Sequence, residues 1–293
     1  MRREPLMRAG LWLLRQVARL PDRWVRRLGF ALGEALWWTA LPRRRIALTN
    51  LALCFPAMSE AERRRLARRH FHCFGAGFLE CFVLWHEPAE RIAGLVRQEG
   101  REHFDRHLGK PLILLAPHFV GLDAGGVRAL VDSPGAAMFA NQKSRALTEV
   151  MTRGRSRFCS RGMFVRNDGM RPVVRIVRAG VPFMLSPDMD LGPRDALFVP
   201  FFGVACATAP SLARLAAMTG AAVVPMITRM VDRGYVTTFL PAWEDFPGDD
   251  LAAATRRMNA LIEQCVAQAP EQYLWTHRRF KTRPPGEPGL YRR

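Results

Sequence analysis

The sequence predicts an α/β fold in which a central, mostly parallel mixed sheet is flanked by helices. Two observations carry that expectation. From Val96 onward, short apolar runs bounded by turn residues alternate with stretches that read as helix. Before Val96 there is no such alternation, and the chain reads as a succession of helices.

Residues 5–20 are apolar on one side and carry Arg8, Arg15 and Arg19 on the other, a basic amphipathic helix. Residues 28–41, LGFALGEALWWTAL, are apolar but short and interrupted by Glu34. Trp37 and Trp38 precede Arg43, Arg44 and Arg45, a pattern that suits a helix lying in a membrane interface. It suits equally an amphipathic helix packed on the protein, and the sequence leaves both open. A third helix is expected over 43–53, stopped by Phe55-Pro56. Ser59 with Glu62 three residues later forms a capping box and opens a long helix to Trp85. His70 and His72 cannot share a face of that helix. Glu80 sits among apolar neighbours and is expected to be a buried carboxylate with a partner.

Strands are then expected at 96–99, 112–116, 136–140, 163–165, 182–186, 196–199, 222–228 and 235–240. Helices are expected at 101–108, 122–131, 144–156, 170–179, 209–219 and 249–268. The Pro-rich basic tail from Arg278 is expected to hug the surface. A boundary is placed after residue 56, between N-terminal amphipathic helices (1–56) and an α/β domain (57–293).

Composition narrows the function. With 49% hydrophobic residues in 293, the chain folds and buries a sizeable core. Lys and Arg number 44 against 26 acids, a formal charge of +18 that points to polyanionic company. Much of the excess is Arg, which suits bidentate phosphate contacts. No nucleic-acid-binding signature directs the charge to nucleic acid, and neither a GxGxxG after a strand nor a GxxxxGK[ST] is present. The six cysteines form no CxxC pair and no zinc-ligand spacing, so they read as buried or incidental thiols. No secretory signal is legible, and no run of about 20 uncharged apolar residues occurs.

Four stretches combine reactive or charged side chains with turn residues. In PLILLAPHFVGLDAGG a buried strand stops at Pro117-His118, and Asp123 follows five residues later. Strand ends of α/β folds face the ligand crevice. A histidine there with a nearby carboxylate has the parts of a general base and its orienter, although a structural pair looks the same in sequence. Residues 141–166 carry Lys143, Arg145, Arg153, Arg155, Arg157, Arg161 and Arg166 with little acid to balance them, either a phosphate site or a solvated face. In SPDMDLGPRDALFVPFF, Asp188 and Asp190 follow a strand. Such a pair binds a metal or holds its own loop through Arg194 or backbone amides. The loop reading is preferred, because no third carboxylate accompanies it. Residues 269–283 mix aromatics with His277, Arg278, Arg279 and Lys281, a composition that suits phosphate binding.

These stretches together resemble the late acyltransferases of lipid A biosynthesis, within the superfamily of lysophospholipid acyltransferases that shares a His-x4-Asp/Glu signature. NLALCFP (50–56), HFVGLD (118–123), PDMDLGPRDALFVPFFG (187–203) and APEQYLWTHRRFKTRPPGEP (269–288) carry the resemblance, which extends from about Arg44 to the end of the chain. It implies transfer of a fatty acyl chain from acyl carrier protein to a hydroxyl of a Kdo-bearing lipid A precursor, on the cytoplasmic face of the inner membrane. It implies no further cofactor, no metal and no nucleic acid. His118 corresponds to the base and Asp123 to its partner. Asp188, Asp190, Gly192 and Arg194 fall in the acceptor-binding stretch, and Arg161 and Arg166 among basic residues near the active site; Arg153, from the same basic cluster, is a further candidate for substrate binding. A tetrahedral oxyanion needs donors, and the backbone amides near Gly121 or an arginine of the 153–166 cluster are candidates. After the strand at 136–140 this chain reads MFANQKSRA, with Asn141 and Lys143, where many lauroyl-type members carry a Tyr-Arg-Pro stretch and an Asn-Pro pair. Donor chain length is therefore left open. Acylation of a lysophospholipid or another glycolipid, and a basic lipid-binding protein without chemistry, are the alternatives.

Overall fold

The structure, a computed structural model, describes residues 3–133, 135–139, 144–159, 161–165 and 169–291. Four helices come first: α1 (Arg3–Val17), α2 (Asp22–Thr39), α3 (Leu41–Cys54) and α4 (Glu60–His86). Then follow α5 (Ala89–Leu95), β1 (Val96–Glu99), α6 (Arg101–Asp105), β2 (Leu112–Leu115), α7 (Leu122–Asp132), β3 (Ala136–Phe139), α8 (Arg145–Ser156) and β4 (Met163–Val165). The chain closes with α9 (Arg171–Arg178), β5 (Phe183–Leu185), β6 (Leu197–Phe201), β7 (Val204–Thr208), α10 (Ser211–Thr219), β8 (Ala222–Met230), β9 (Tyr235–Phe239) and α11 (Leu251–Gln268).

Seven strands form one sheet in the order β1-β9-β8-β2-β5-β3-β4. Only the β8–β9 pairing is antiparallel, so the sheet is mixed and mostly parallel, as expected. Leu112 to Leu115 of β2 are all buried, as a strand covered on both faces must be. β6 and β7 form a separate hairpin whose two-residue turn, Phe202-Gly203, has positive φ at both positions. The sequence reading missed β7, because VACAT is too small and mixed to stand out as a strand. It also missed α5, a helix of only two turns after Pro88.

α4 is the spine of the helical layer. Its capping box forms as expected: Ser59 Oγ accepts from Glu62 N at 3.3 Å, and Glu62 Oε2 accepts from Ser59 N at 2.7 Å. With 27 residues it spans about 40 Å, long enough to serve two hydrophobic clusters. Leu66, Ala67 and Phe71 pack with α3, α9, α10 and α11, whereas Leu79, Phe82 and Val83 pack with α1, α7 and α8. The two histidines leave α4 on different sides: His70 reaches Glu271 O at 3.0 Å, and His72 reaches Glu34 Oε2 at 2.7 Å.

α2 crosses α4 almost backbone to backbone. A Cβ on Gly29 would lie 2.4 Å from Ala76 Cα, and one on Gly33 2.2 Å from Phe71 O. Beside the crossing, Arg26 Nε donates to Glu80 Oε1 at 2.7 Å, and Tyr235 of β9 donates to the same carboxylate. Glu80 therefore has the partner its position demanded. Burial raises its pKa against the pull of Arg26.

One open question is answered and one expectation is corrected. Trp37 is 3% exposed and packs on Phe71, so of the tryptophan pair only Trp38 faces outward. The start of the tail is core, with Arg279 and Phe280 buried. The expected boundary after residue 56 falls in the loop between α3 and α4. Among the described residues, no helix is long and apolar enough to cross a membrane.

The glycine crossing yields a direct test. Gly33→Val must push α2 off α4, since the obstructing atoms are backbone. It should destabilise the fold by about 3 kcal/mol or more, measured by denaturant unfolding, while Gly10→Ala in open space should not.

Candidate active site

β2 and β5 are parallel neighbours, and Leu115 is the register partner of Leu185. His118 lies three residues past the first and Asp188 three residues past the second. Parallel strands leave the sheet at one edge, so the two side chains converge there. His118 Nδ1 stands 2.7 Å from Asp188 Oδ1, and the His118 main-chain amide donates to Asp188 Oδ2 at 3.0 Å. Asp188 is 1% exposed. Burial alone would raise its pKa, but the His118 contacts and the nearby Arg279 guanidinium hold it at about 2. An ionised carboxylate only accepts, so Nδ1 carries the ring proton and Nε2 is left as the basic nitrogen.

The geometry corrects the expectation that Asp123 holds the imidazole. Asp123 is the second residue of α7, and the helix turns its carboxylate toward α4 and α8. There it accepts from Arg155 Nη2 at 2.6 and 2.8 Å and from Cys81 Sγ at 3.4 Å. Burial would lower the pKa of Arg155, but Asp123 beside it leaves it raised. α7 can sit this close because its first turn is glycine where it meets β8. A Cβ at Gly121 would lie 2.8 Å from Thr228 O, and one at Gly125 1.9 Å from Thr228 Oγ1.

His118, Asp123 and Arg155 nevertheless share a wall of one cavity of about 460 Å³, lying between α7, α8 and the ends of β3, β4 and β5. Most of its remaining wall is apolar, with Leu122, Val127 and Leu130 on α7 and six methionines around it. That is the size and lining of a small-molecule site with a few convergent polar groups.

The last segment of the chain braces this edge. Phe119 and Tyr273 form an antiparallel bridge, Val120 N donates to Gln272 O at 2.8 Å, and Leu274 N donates to His118 O at 2.9 Å. Arg279 donates to Ala207 O at 2.9 Å and to Thr208 Oγ1 at 2.7 Å. The aromatic and basic stretch 269–283, expected to suit phosphate, is thus largely internal. Asp190 takes the loop role: its carboxylate accepts from Gly192 N, Thr282 N and Thr282 Oγ1 at 2.6–2.9 Å. Gly192 makes that turn with φ of 104°. Arg194 is exposed and pairs with neither aspartate. Among the described residues of the basic cluster, Arg155 alone lines the cavity; Arg153 and Arg161 are exposed. Asn141, Lys143 and Arg166 lie outside the described residues. Among those described, no group of three or more His, Cys, Asp and Glu is arranged to hold a metal.

Sequence reasoning missed that Asp188 partners His118 and that Arg155 belongs to Asp123. A signal existed for the first: equal offsets beyond two paired strands. It becomes usable only once β2 and β5 are known to be neighbours.

A mostly parallel α/β sheet with a histidine–carboxylate pair at the head of an apolar chamber defines an enzyme site for a substrate with a long apolar part. Residues 2–282 match the family of bacterial lipid A biosynthesis acyltransferases, and the chain belongs to it. It is 35% identical to the lipid A biosynthesis lauroyltransferase of Escherichia coli K12, over 96% of this chain and 93% of that one. The palmitoleoyltransferase of the same organism is 33% identical over 96% of this chain and 93% of its own. The myristoyltransferase is 33% identical, covering 97% and 90%.

One buried and one half-buried histidine make stability depend on pH. Burial pushes His70 and His277 down to about 4, and His277 Nε2 accepts from Asp190 N at 3.0 Å. Their ordinary value is 6.5, so between 6.5 and 4 the unfolded chain takes up protons that the fold refuses. Their contribution to stability is therefore complete above 6.5 and drains away as pH falls toward 4. His277→Gln, which keeps an acceptor for Asp190, should flatten the fall in unfolding midpoint across that window.

Proposed function

We propose that this acyltransferase moves a fatty acyl chain from the thioester of acyl carrier protein to a hydroxyl of a Kdo-bearing lipid A precursor, with His118 as the general base. The observation that carries the reading is the His118–Asp188 pair at the head of the apolar chamber. Nε2 of His118 takes the proton of the acceptor hydroxyl as its oxygen attacks the thioester carbonyl. Asp188 holds the ring and stabilises the imidazolium as it forms. The tetrahedral intermediate then expels the thiolate, which takes the proton back from His118 and leaves as the thiol of the carrier. No serine or cysteine relay is needed, because both substrates are bound together. Arg155 lines the same cavity and Asp123 fixes it, so it is placed to meet the oxyanion. The acyl chain lies in the chamber, and the exposed Arg153 and Arg161 face the acceptor's phosphates.

The same reading sets the protein on the cytoplasmic face of the inner membrane through its N-terminal helices. Of the fourteen large hydrophobic side chains exposed among the described residues, nine fall between Met7 and Leu41. Trp12, Leu13, Trp24 and Trp38 stand among Arg15, Arg19, Arg23 and Arg27, the mixture that enters a headgroup layer. α1 rests on α8, whose Met151 and Arg155 line the chamber, so this apolar surface adjoins the site.

Membranes carrying the acceptor, incubated with labelled acyl-carrier thioester and in parallel with acyl-CoA, test the chemistry by mass analysis of the lipids. His118→Ala should lose about a thousandfold in rate while remaining folded, and Asp188→Asn about a hundredfold. Wild-type rates for Asp188→Asn would sink the pairing. Asp123→Asn should cost less than His118→Ala, because Asp123 acts through Arg155. A triple replacement of Trp12, Leu13 and Trp38 by Ser should weaken sedimentation with anionic vesicles about tenfold or more, with soluble transfer unaffected.

A further inference from the structure

Gly126, Leu130 and Met184 line the large chamber and also a second, smaller cavity behind it. The second cavity, of about 10 Å³, holds at most one water-sized sphere and runs on toward Phe104, Leu114 and Ser133. The three shared residues are therefore a partition. Met184 is its movable part: it projects from β5 across to α7, and a Cβ on Gly126 would lie 2.9 Å from both its Sδ and its Cε. Only glycine at 126 leaves the thioether room to lie there. Leu122, Gly126 and Leu130 mark successive turns of α7, so the partition begins about 6 Å from the head of the helix and reaches about 12 Å along it.

We propose that Met184, seated on Gly126, is the floor that sets the length of acyl chain this protein transfers. The inference rests on the acyl-transfer reading for its ligand. Relatives named for lauroyl, palmitoleoyl and myristoyl transfer are 35%, 33% and 33% identical to this chain, so overall likeness does not set chain length and a local feature must. Shortening Met184 joins the two cavities and deepens the chamber. A methyl on Gly126 drives the thioether tip back into the chamber and makes it shallower.

The test uses the full chain and a homologous series of saturated chains, as acyl-carrier thioesters in competition for transfer and as free fatty acids in calorimetric binding. Met184→Ala should move the preferred length up by two or more methylenes, each added methylene gaining about fourfold over wild type. Gly126→Ala should move it down. Unchanged length profiles in both variants, or a move of Met184→Ala toward shorter chains, would overturn the floor. A wild type that binds chains with a Met184-dependent optimum yet transfers none would instead sink the acyl-transfer reading and leave the floor standing.

Discussion

A carboxylate that is fully buried and ionised must find partners, and the cost of leaving it without them organises the edge of this sheet. Asp188 finds them in the ring and main-chain amide of His118, with the Arg279 guanidinium close behind. Each partner belongs to a different part of the chain. His118 follows β2, Asp188 follows β5, and Arg279 comes from the final segment, where it is tied to β7 and α11. Satisfying one charge thus fixes three loops at once. It also selects the tautomer that leaves a basic nitrogen for the chamber.

The N-terminal helices are not an appendage to this arrangement. One end of α4 packs in the hydrophobic cluster that holds β2 and β5, and the other in the cluster that holds α7 and α8. α2 is locked to α4 by glycines and by the buried Arg26–Glu80 pair, and Tyr235 ties that pair to the sheet. The surface read as membrane-facing and the wall of the chamber are therefore parts of one packed body.

Much of this was legible before any coordinates. The unbroken apolar run at Leu112–Leu115, the capping box at Ser59 and the strand–helix alternation after Val96 are local patterns, and local patterns survive into the fold. The family signature brought His118 and Asp123 into one cavity wall. The partner of the histidine was not legible, because pairing depends on strand order: β5 is the neighbour of β2, although β3 and β4 intervene in the chain. The C-terminal arginines misled for a related reason. A charged residue reads as exposed until its acceptors are known, and those of Arg279 lie about 70 residues upstream on β7. Trp37 and Trp38 are adjacent in sequence yet divide between core and surface, as neighbours on a helix do.

The chamber wall holds Met138, Met151, Met163, Met170, Met184 and Met189, and their common chemistry has a consequence of its own. Unbranched thioethers conform to a flexible guest at little cost in strain. They are also the apolar side chains most readily oxidised, and each sulfoxide places a strong acceptor where only hydrocarbon was accommodated. A lining built from them trades permanence for pliancy: an oxidant small enough to enter would make an apolar wall more polar without touching His118 or Asp188.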